Sequence, residues 1–128
     1  MDEMIEKSVD GYNLFIFKDK LQLSSNVSNF IENQISQILK IKDRFQFCVS
    51  GGSTPKSVYQ LLSERDLEWN KVDIFLGDER CVDPKSELSN SLMLKNSLLT
   101  KYGSKAFFYE IFSGKKAVSY THLRAHET

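Results

Sequence analysis

The sequence predicts an α/β fold: a Rossmann-like, mostly parallel sheet with helices on both faces. Three observations indicate this class. Short apolar runs have the length of buried strands, other segments carry apolar residues every three or four positions, and the two patterns alternate along the chain. At 128 residues, the chain suits one domain or part of one.

The first half of the chain predicts two strands separated by a long helix. Residues 14–17 (LFIF) form an apolar run before charged residues, which is typical of a buried strand. An amphipathic helix is predicted from about Leu21 to Ile41, with Ser24, Ser25 or Asn26 near its start. Residues 45–49 (FQFCV) are the second predicted strand, and a glycine-rich turn follows at once.

The second half continues the alternation. Pro55 opens a helical pattern, since proline suits the first helical position. Residues 72–76 (VDIFL) are the third predicted strand, and residues 88–99 are the next predicted helix, with Gly103 as its C-cap. Residues 106–112 are predicted as a fourth strand. Ligands of such sheets bind beyond the carboxyl ends of the strands, so the loops after the second and third strands are the candidate site.

The balanced charge of the chain gives no overall attraction to a polyanion. Lys and Arg together number 17, as do Asp and Glu, so no binding to nucleic acid or to an anionic membrane is predicted. No apolar run approaches the roughly 20 residues of a membrane span, and the polar, acidic start does not resemble a secretory signal. A cytoplasmic protein is expected, in which Cys48 and Cys81 are buried, reduced thiols.

The last eleven residues, 118–128, resemble the in-frame translation of a transposase adapter used in sequencing libraries. They are therefore treated as a non-native tail, and residues 1–117 as the natural part of a single domain. Both histidines, His122 and His126, lie in this tail. Their H-x-x-x-H spacing would otherwise suggest a metal site, and none is predicted.

The loop Ser50-Gly51-Gly52-Ser53-Thr54-Pro55 joins a predicted strand to a predicted helix. Glycines allow a phosphate to approach the backbone closely, the hydroxyls of Ser53 and Thr54 can bond it or cap the helix, and a helix N-terminus attracts anions. The loop therefore predicts phosphate binding, with a plain strand-to-helix turn as the alternative. Its spacing matches neither a Walker A loop nor a dinucleotide-binding fingerprint.

The loop of residues 77–82 (GDERCV) carries three charges directly after an apolar strand. Charges there cost desolvation unless they are paired or used. Arg80 could bond a phosphate or sugar oxygen with its forked guanidinium, with Asp78 or Glu79 orienting it. The alternative is a solvated turn with an internal ion pair.

Together, the two loops, Trp69 and Ser89-Asn90 resemble 6-phosphogluconolactonase over residues 10–116. That family is related to glucosamine-6-phosphate deaminase and to ribose-5-phosphate isomerase-like α/β folds. The first loop is shared with the deaminases, whereas the D-E-R-C-V form differs from their D-E-Y type. The resemblance implies hydrolysis of a phosphorylated sugar lactone, 6-phospho-D-glucono-1,5-lactone, to 6-phosphogluconate in the oxidative pentose phosphate pathway. It also implies that no metal or cofactor is needed.

The resemblance also implies which residues bind substrate. These are Gly51, Gly52, Ser53, Thr54 and Arg80, with Asp78, Glu79 and Asn90 in support. Ser91 stands where a tyrosine usually follows the asparagine. The family's catalytic histidine lies in a later G-x-D-G-H-x-A-S-L-F-P type motif that this chain lacks, as it lacks a later phosphate-binding lysine. Residues 1–117 would thus be the N-terminal part of a truncated lactonase domain, itself inactive.

Two other functions stay open at this level. One is a sugar-phosphate deaminase or isomerase of the same fold, and the other is a non-catalytic sugar-phosphate-binding domain. The sequence also leaves open whether the parent protein is fused to, or associated with, glucose-6-phosphate dehydrogenase.

Overall fold

The structure is a computed structural model that describes residues 4–83 and 85–111. Its elements in chain order are β1 (Met4–Val9), β2 (Tyr12–Phe17), α1 (Lys20–Ile38), β3 (Phe45–Val49), α2 (Ser53–Ser63), β4 (Val72–Leu76), α3 (Asn90–Ser97) and β5 (Phe107–Tyr109). Short 3₁₀ turns cover Trp69–Lys71 and Lys101–Lys105. The predicted tail at residues 118–128, with His122 and His126, and the end of the predicted fourth strand at residue 112 lie outside the described residues.

The predicted α/β class and its parallel sheet are confirmed. Strands β3, β4 and β5 lie in that order, and both neighbouring pairs are parallel. Val49 pairs with Leu76 at the ends of β3 and β4, so the two loops that follow begin at the same edge of the sheet. The bounds of β3 and β4 are those predicted from the apolar runs. Each run is followed directly by a residue type that is common in turns.

The predicted first strand is not part of this sheet among the described residues. It lies in β2, which pairs antiparallel with β1 as a hairpin. The turn residues Asp10 and Gly11 have φ of 50° and 82°, as a two-residue turn of the I′ type requires. The expectation that this strand is buried was wrong, since most of its side chains are exposed.

Helix α1 begins at Lys20, one residue before the predicted start. Asp19 is its N-cap, and the Oδ1 atom of Asp19 accepts a hydrogen bond of 2.9 Å from the N–H of Gln22. Ser24, Ser25 and Asn26, expected near the start, lie within the helix, and Ser24 is buried. The helix ends at Ile38 rather than at Ile41.

One face of the sheet holds the core. The core contains buried residues of the strands, of all three helices and of the segments beside them. They are Val49, Val72, Ile74 and Leu76 of the strands, Ile35, Val58, Tyr59, Leu62 and Leu94 of the helices, and Trp69 and Leu98. Side chains alternate across a strand, so the other face carries Phe75, Phe107, Tyr109 and Cys48, which are exposed. Cys81 is exposed as well. The predicted burial of both thiols was wrong, because Cys48 lies on the face that no described helix covers.

Gly103 is not the C-cap of the third helix. Helix α3 is capped at Leu98 in a right-handed conformation, and Gly103 lies five residues later in a 3₁₀ turn. A Cβ atom at Gly103 would overlap the carbonyl oxygen of Leu98. The glycine is thus required for close backbone packing. Within the described residues, no helix is long and apolar enough to cross a membrane.

An ion pair joins β4 to the loop before β3, at the end of the sheet opposite the candidate loops. Arg44 donates to both carboxylate oxygens of Asp73, from Nε at 2.8 Å and from Nη2 at 2.7 Å. The guanidinium also lies 5.0 Å from the centre of the Phe107 ring. The hydrogen bonds from Arg44 hold the pKa of Asp73 below its ordinary value.

Acid is expected to weaken this end of the sheet. A carboxyl whose pKa is lowered by folding stabilises the fold above its unfolded pKa, about 3.9 for aspartate, and that contribution is lost as the pH falls through the lower, folded pKa. Urea midpoints measured between pH 7 and pH 2 should therefore fall less steeply for Asp73→Asn than for the unmodified chain. Asp66→Asn, at an exposed site, is the control. Equal slopes in all three proteins would contradict the prediction.

Candidate functional site

The glycine loop, residues 50–54, runs from the end of β3 into α2. Gly52 is the N-cap of α2, with φ of 115°, and no side chain bonds the helix end. The helix begins at Ser53, two residues before the predicted start, and Pro55 lies within its first turn. The predicted capping by the Ser53 or Thr54 hydroxyl was therefore wrong. The first N–H groups of the helix, those of Ser53 and Thr54, have no intrahelical acceptor and point out of its start.

Tyr59 on α2 holds the first residue of this loop. Its hydroxyl donates to the carbonyl oxygen of Ser50 at 3.0 Å and accepts from the N–H of Ser50 at 3.1 Å. Burial raises the pKa of the Tyr59 phenol, although the bonds to Ser50 act the other way. No motif in the sequence indicates this role for Tyr59. The available signal was chemical, since a buried tyrosine hydroxyl usually finds a partner.

Asn90 joins the two loops. Its Nδ2 atom donates to the carbonyl oxygen of Asp78 at 3.2 Å. Its Oδ1 atom lies against Gly51 so closely that a Cβ atom there would overlap it. Gly51 has no positive φ; it is needed because it lets this side chain approach the backbone. The loops after β3 and β4 are therefore held together by a residue of α3.

The Arg80 loop, residues 77–82, presents an exposed guanidinium. Arg80 Nη1 donates to the carbonyl oxygen of Leu88 at 3.0 Å. Neither Asp78 nor Glu79 pairs with this guanidinium among the described contacts; Glu79 bonds Arg80 through the backbone N–H instead, at 2.8 Å. The backbone carbonyl of Leu88 holds the guanidinium itself, which the apolar side chain of Leu88 gave no reason to expect. Asp78 is exposed and uses its backbone carbonyl to bond Asn90.

Glu79 is buried, with 3% of its surface exposed. Its carboxylate accepts hydrogen bonds from the N–H groups of Arg80 at 2.8 Å, Asn90 at 2.7 Å and Ser91 at 2.8 Å, and from the hydroxyl of Ser89 at 3.1 Å. Burial by itself would raise the pKa of Glu79, but the backbone hydrogen bonds outweigh it and the pKa is lowered. Glu79 is thus ionised and internal, with no face left for a ligand.

The arrangement is suited to binding an anion. The open start of α2 offers backbone N–H groups and a partial positive charge, as phosphate sites at helix N-termini do. Arg80, on the neighbouring loop, offers a full positive charge and several donors. Among residues 4–83 and 85–111 there is no histidine and no cluster of side chains suited to holding a metal ion. The described residues therefore supply binding groups but no imidazole base.

Comparison with known proteins gives a consistent result. The profile of the family described as "Glucosamine-6-phosphate isomerases/6-phosphogluconolactonase" matches residues 18–126. The 6-phosphogluconolactonase of Xylella fastidiosa is 33% identical over 88% of this chain and 47% of its own length. A crystal structure of a 6-phosphogluconolactonase from Shewanella baltica superposes with a TM-score of 0.73 at 29% identity, covering 85% of this chain and 48% of that one.

A third relative has the same fold. The 6-phosphogluconolactonase structure from Thermotoga maritima has a TM-score of 0.64 at 27% identity, over 82% of this chain and 50% of that one. In each case the chain spans about half the length of the protein that it matches. The parallel sheet, the three helices and both loops lie within residues 18–126, which the family profile matches.

Proposed function

Because this chain belongs to the family of glucosamine-6-phosphate isomerases and 6-phosphogluconolactonases, we propose that the protein containing it hydrolyses 6-phospho-D-glucono-1,5-lactone. The matching relatives named above are 6-phosphogluconolactonases. The D-E-R-C-V form of the second loop also favours the lactonases over the deaminases. The substrate is a phosphorylated sugar lactone, and the product is 6-phosphogluconate.

The observation that carries the proposal is the meeting of two anion-binding elements at one sheet edge. Asn90 brings the glycine loop and the Arg80 loop together. A sugar phosphate has a dianionic end and a polar ring, so it needs donors at two places. The N–H groups at the start of α2 would bind the phosphate, with Gly51, Gly52, Ser53 and Thr54 around it. Arg80 would bond the phosphate or the ring side of the substrate.

The reaction adds water across one bond. A water oxygen attacks the lactone carbonyl carbon, the bond from that carbon to the ring oxygen breaks, and the ring oxygen takes a proton. A carboxylic acid results, which ionises at neutral pH. Negative charge builds on the carbonyl oxygen in the transition state, and a guanidinium near it lowers the barrier. In this proposal Arg80 holds the substrate and can supply that charge.

The general base would come from elsewhere in the full-length protein. Removing a proton from water during attack requires a base within hydrogen-bond reach of it. We propose that the gene encodes this base as a histidine in a G-H-x-A-S-L-F-P type motif that follows residue 117. On this proposal residues 1–117 belong to one lactonase domain in the cytoplasm, and residues 118–128 are not native. Since the family profile matches as far as residue 126, the gene sequence beyond residue 117 decides the origin of the tail.

The test is an assay of the full-length product of the gene. We expect hydrolysis of 6-phosphogluconolactone well above its spontaneous rate, and no release of ammonia from glucosamine 6-phosphate. Arg80→Ala should lower kcat/KM by roughly 10- to 100-fold, as the loss of a charge-assisted hydrogen bond does. Lys85→Ala, which removes a positive charge from an exposed position nearby, should leave it unchanged.

Three results would contradict the proposal. Ammonia release from glucosamine 6-phosphate would indicate a deaminase of the same fold. Binding of 6-phosphogluconate without turnover would indicate a non-catalytic domain. An unchanged kcat/KM in Arg80→Ala would remove the assigned role of that residue.

A further inference from the structure

Glu79 is a buried anion with no cationic partner among the described residues. Its four hydrogen-bond donors are three backbone N–H groups and one hydroxyl. Glutamate is seldom this buried, because an ionised carboxylate loses its hydration. Here the donors replace water on both carboxylate oxygens. These bonds thus hold an ionised carboxylate at one fixed point beside the two loops of the candidate site.

That point is the start of α3. Asn90 and Ser91 are its first two residues, and their N–H groups both donate to Glu79. The third N–H, of Leu92, donates to the hydroxyl of Ser89 at 3.2 Å. The groups that a helix start usually leaves without partners are therefore satisfied from within the chain. The partial positive charge of this helix end faces a carboxylate rather than a ligand.

Helix α2 differs in this respect. No side chain bonds its start, and Gly52 places no Cβ atom there. The two helix starts at this edge of the sheet are thus unlike: one holds the internal carboxylate of Glu79, and the other is open. Of the two described helices that begin at this edge, α3 has its first N–H groups bonded within the chain. An external anion therefore finds open N–H groups at the start of α2.

Glu79 also connects to both loops. It bonds the backbone of Arg80 within its own loop, and it bonds the backbone N–H of Asn90. The side chain of Asn90 then contacts Gly51 in the glycine loop and the carbonyl oxygen of Asp78. A change at Glu79 can therefore reach the glycine loop through Asn90 without any direct contact.

We propose that Glu79 is a positioning residue for both loops: by fixing the first turn of α3, it sets where Asn90 holds the glycine loop relative to Arg80. It does not touch the substrate. Its effect on binding rests on the proposed function, but its effect on the two loops does not. The same interaction directs an external phosphate to α2, since the start of α3 is already occupied by a carboxylate.

Glu79→Gln is the principal variant. It keeps the size of the side chain but replaces one accepting oxygen with an NH₂ group that cannot accept from an N–H. The experiment records the amide NMR spectrum and the amide hydrogen-exchange rates of the full-length protein and of each variant. In Glu79→Gln we expect the amides of Asn90 and Ser91 to exchange on the order of tenfold faster or more, as the loss of about 1.4 kcal/mol of protection gives. The amide signals of Gly51 and Gly52 should also move, while those of β3 and β4 stay in place.

Asn90→Ala separates the bond between Glu79 and the Asn90 backbone from the contact between the Asn90 side chain and Gly51. It is also the test to use if Glu79→Gln does not fold. It keeps the backbone N–H that Glu79 bonds but removes the contact with Gly51. We expect it to move the Gly51 and Gly52 signals and to leave the hydrogen-exchange rates of the Arg80 and Ser91 amides, which Glu79 still bonds, near their original values. Glu87→Gln, at an exposed position in the same segment, is the matched control and should move neither set.

Unmoved Gly51 and Gly52 signals in either Glu79→Gln or Asn90→Ala would overturn the inference. A second measurement, the Kd for 6-phosphogluconate by calorimetry, addresses function separately. We expect Glu79→Gln to weaken binding by roughly tenfold, while thermal melting shows that it is still folded at the temperature used. If the unmodified full-length protein binds no 6-phosphogluconate, the proposed function fails, and the NMR result still decides the role of Glu79. Equal Kd values with displaced loops would refute the part of the proposal that concerns binding.

Discussion

Replacing Gly51 with alanine is expected to destabilise the chain by about 1–3 kcal/mol, as overpacking in a close contact does. The added methyl group would overlap Oδ1 of Asn90. That side chain would have to leave the contact, and its hydrogen bond of 3.2 Å to the carbonyl oxygen of Asp78 would break. Because this contact joins the glycine loop to the Arg80 loop, we also expect loss of 6-phosphogluconate binding. Urea unfolding and calorimetry measure the two effects.

The control for this prediction is a double mutant. Asn90→Ala removes the side chain that the methyl group would meet, so Gly51→Ala should cost much less in an Asn90→Ala background. The coupling free energy from the four proteins is expected to be at least about 1 kcal/mol, well above the error of additivity. If Gly51→Ala costs the same in both backgrounds, the glycine is needed for another reason.

Replacing Gly103 with alanine is expected to cost about 3 kcal/mol, the upper part of the range for overpacking. The added Cβ atom would overlap the backbone carbonyl oxygen of Leu98. A backbone carbonyl cannot rotate away as a side chain does, so α3 would have to shift relative to the 3₁₀ turn. For a domain of this size the loss corresponds to a fall in Tm on the order of 15 °C, which calorimetric melting would show.

Asparagine at the same position distinguishes this explanation from a helix cap. A C-capping glycine in the left-handed conformation tolerates asparagine relatively well. Close packing against Leu98 predicts instead that Gly103→Asn is at least as damaging as Gly103→Ala. Lys105→Ala, an exposed change in the same turn, is the control for general effects. A mild Gly103→Asn beside a damaging Gly103→Ala would support the cap.

The sequence predicted those parts of the fold that local patterns determine. Strands β3 and β4 have their predicted bounds because each is an apolar run that ends at a clear stop. The hairpin was missed, although Asp10-Gly11 is a strong turn signal, because residues 4–9 (MIEKSV) lack the regular alternation of a half-buried strand. Pairing between strands is a tertiary property, and an apolar run does not state its partner.

The sequence predicted which residues form the site, but not the hydrogen bonds and contacts between them. Phosphate binding by residues 50–54 and Arg80 remains a prediction that the experiments above address. The spacing of Glu79 and Asn90 could not show that the carboxylate of one reaches the N–H of the other, eleven positions away. Nor could it show that Gly51 serves the Asn90 side chain, since a glycine in a loop is compatible with both a positive φ and a close approach. Such roles depend on which elements meet in space.

The exposed face of the parallel sheet has a practical consequence. Cys48 lies on that face, pointing away from the helices. Parallel sheets are normally covered on both faces, so any polypeptide that covers this one would shield the sulfur atom from solvent. The rate at which a thiol reagent modifies Cys48 then becomes an intrinsic reporter of that coverage. Mass spectrometry measures this rate on the natural cysteine, without an engineered labelling site. The exposed Cys81, in the Arg80 loop, is the internal reference.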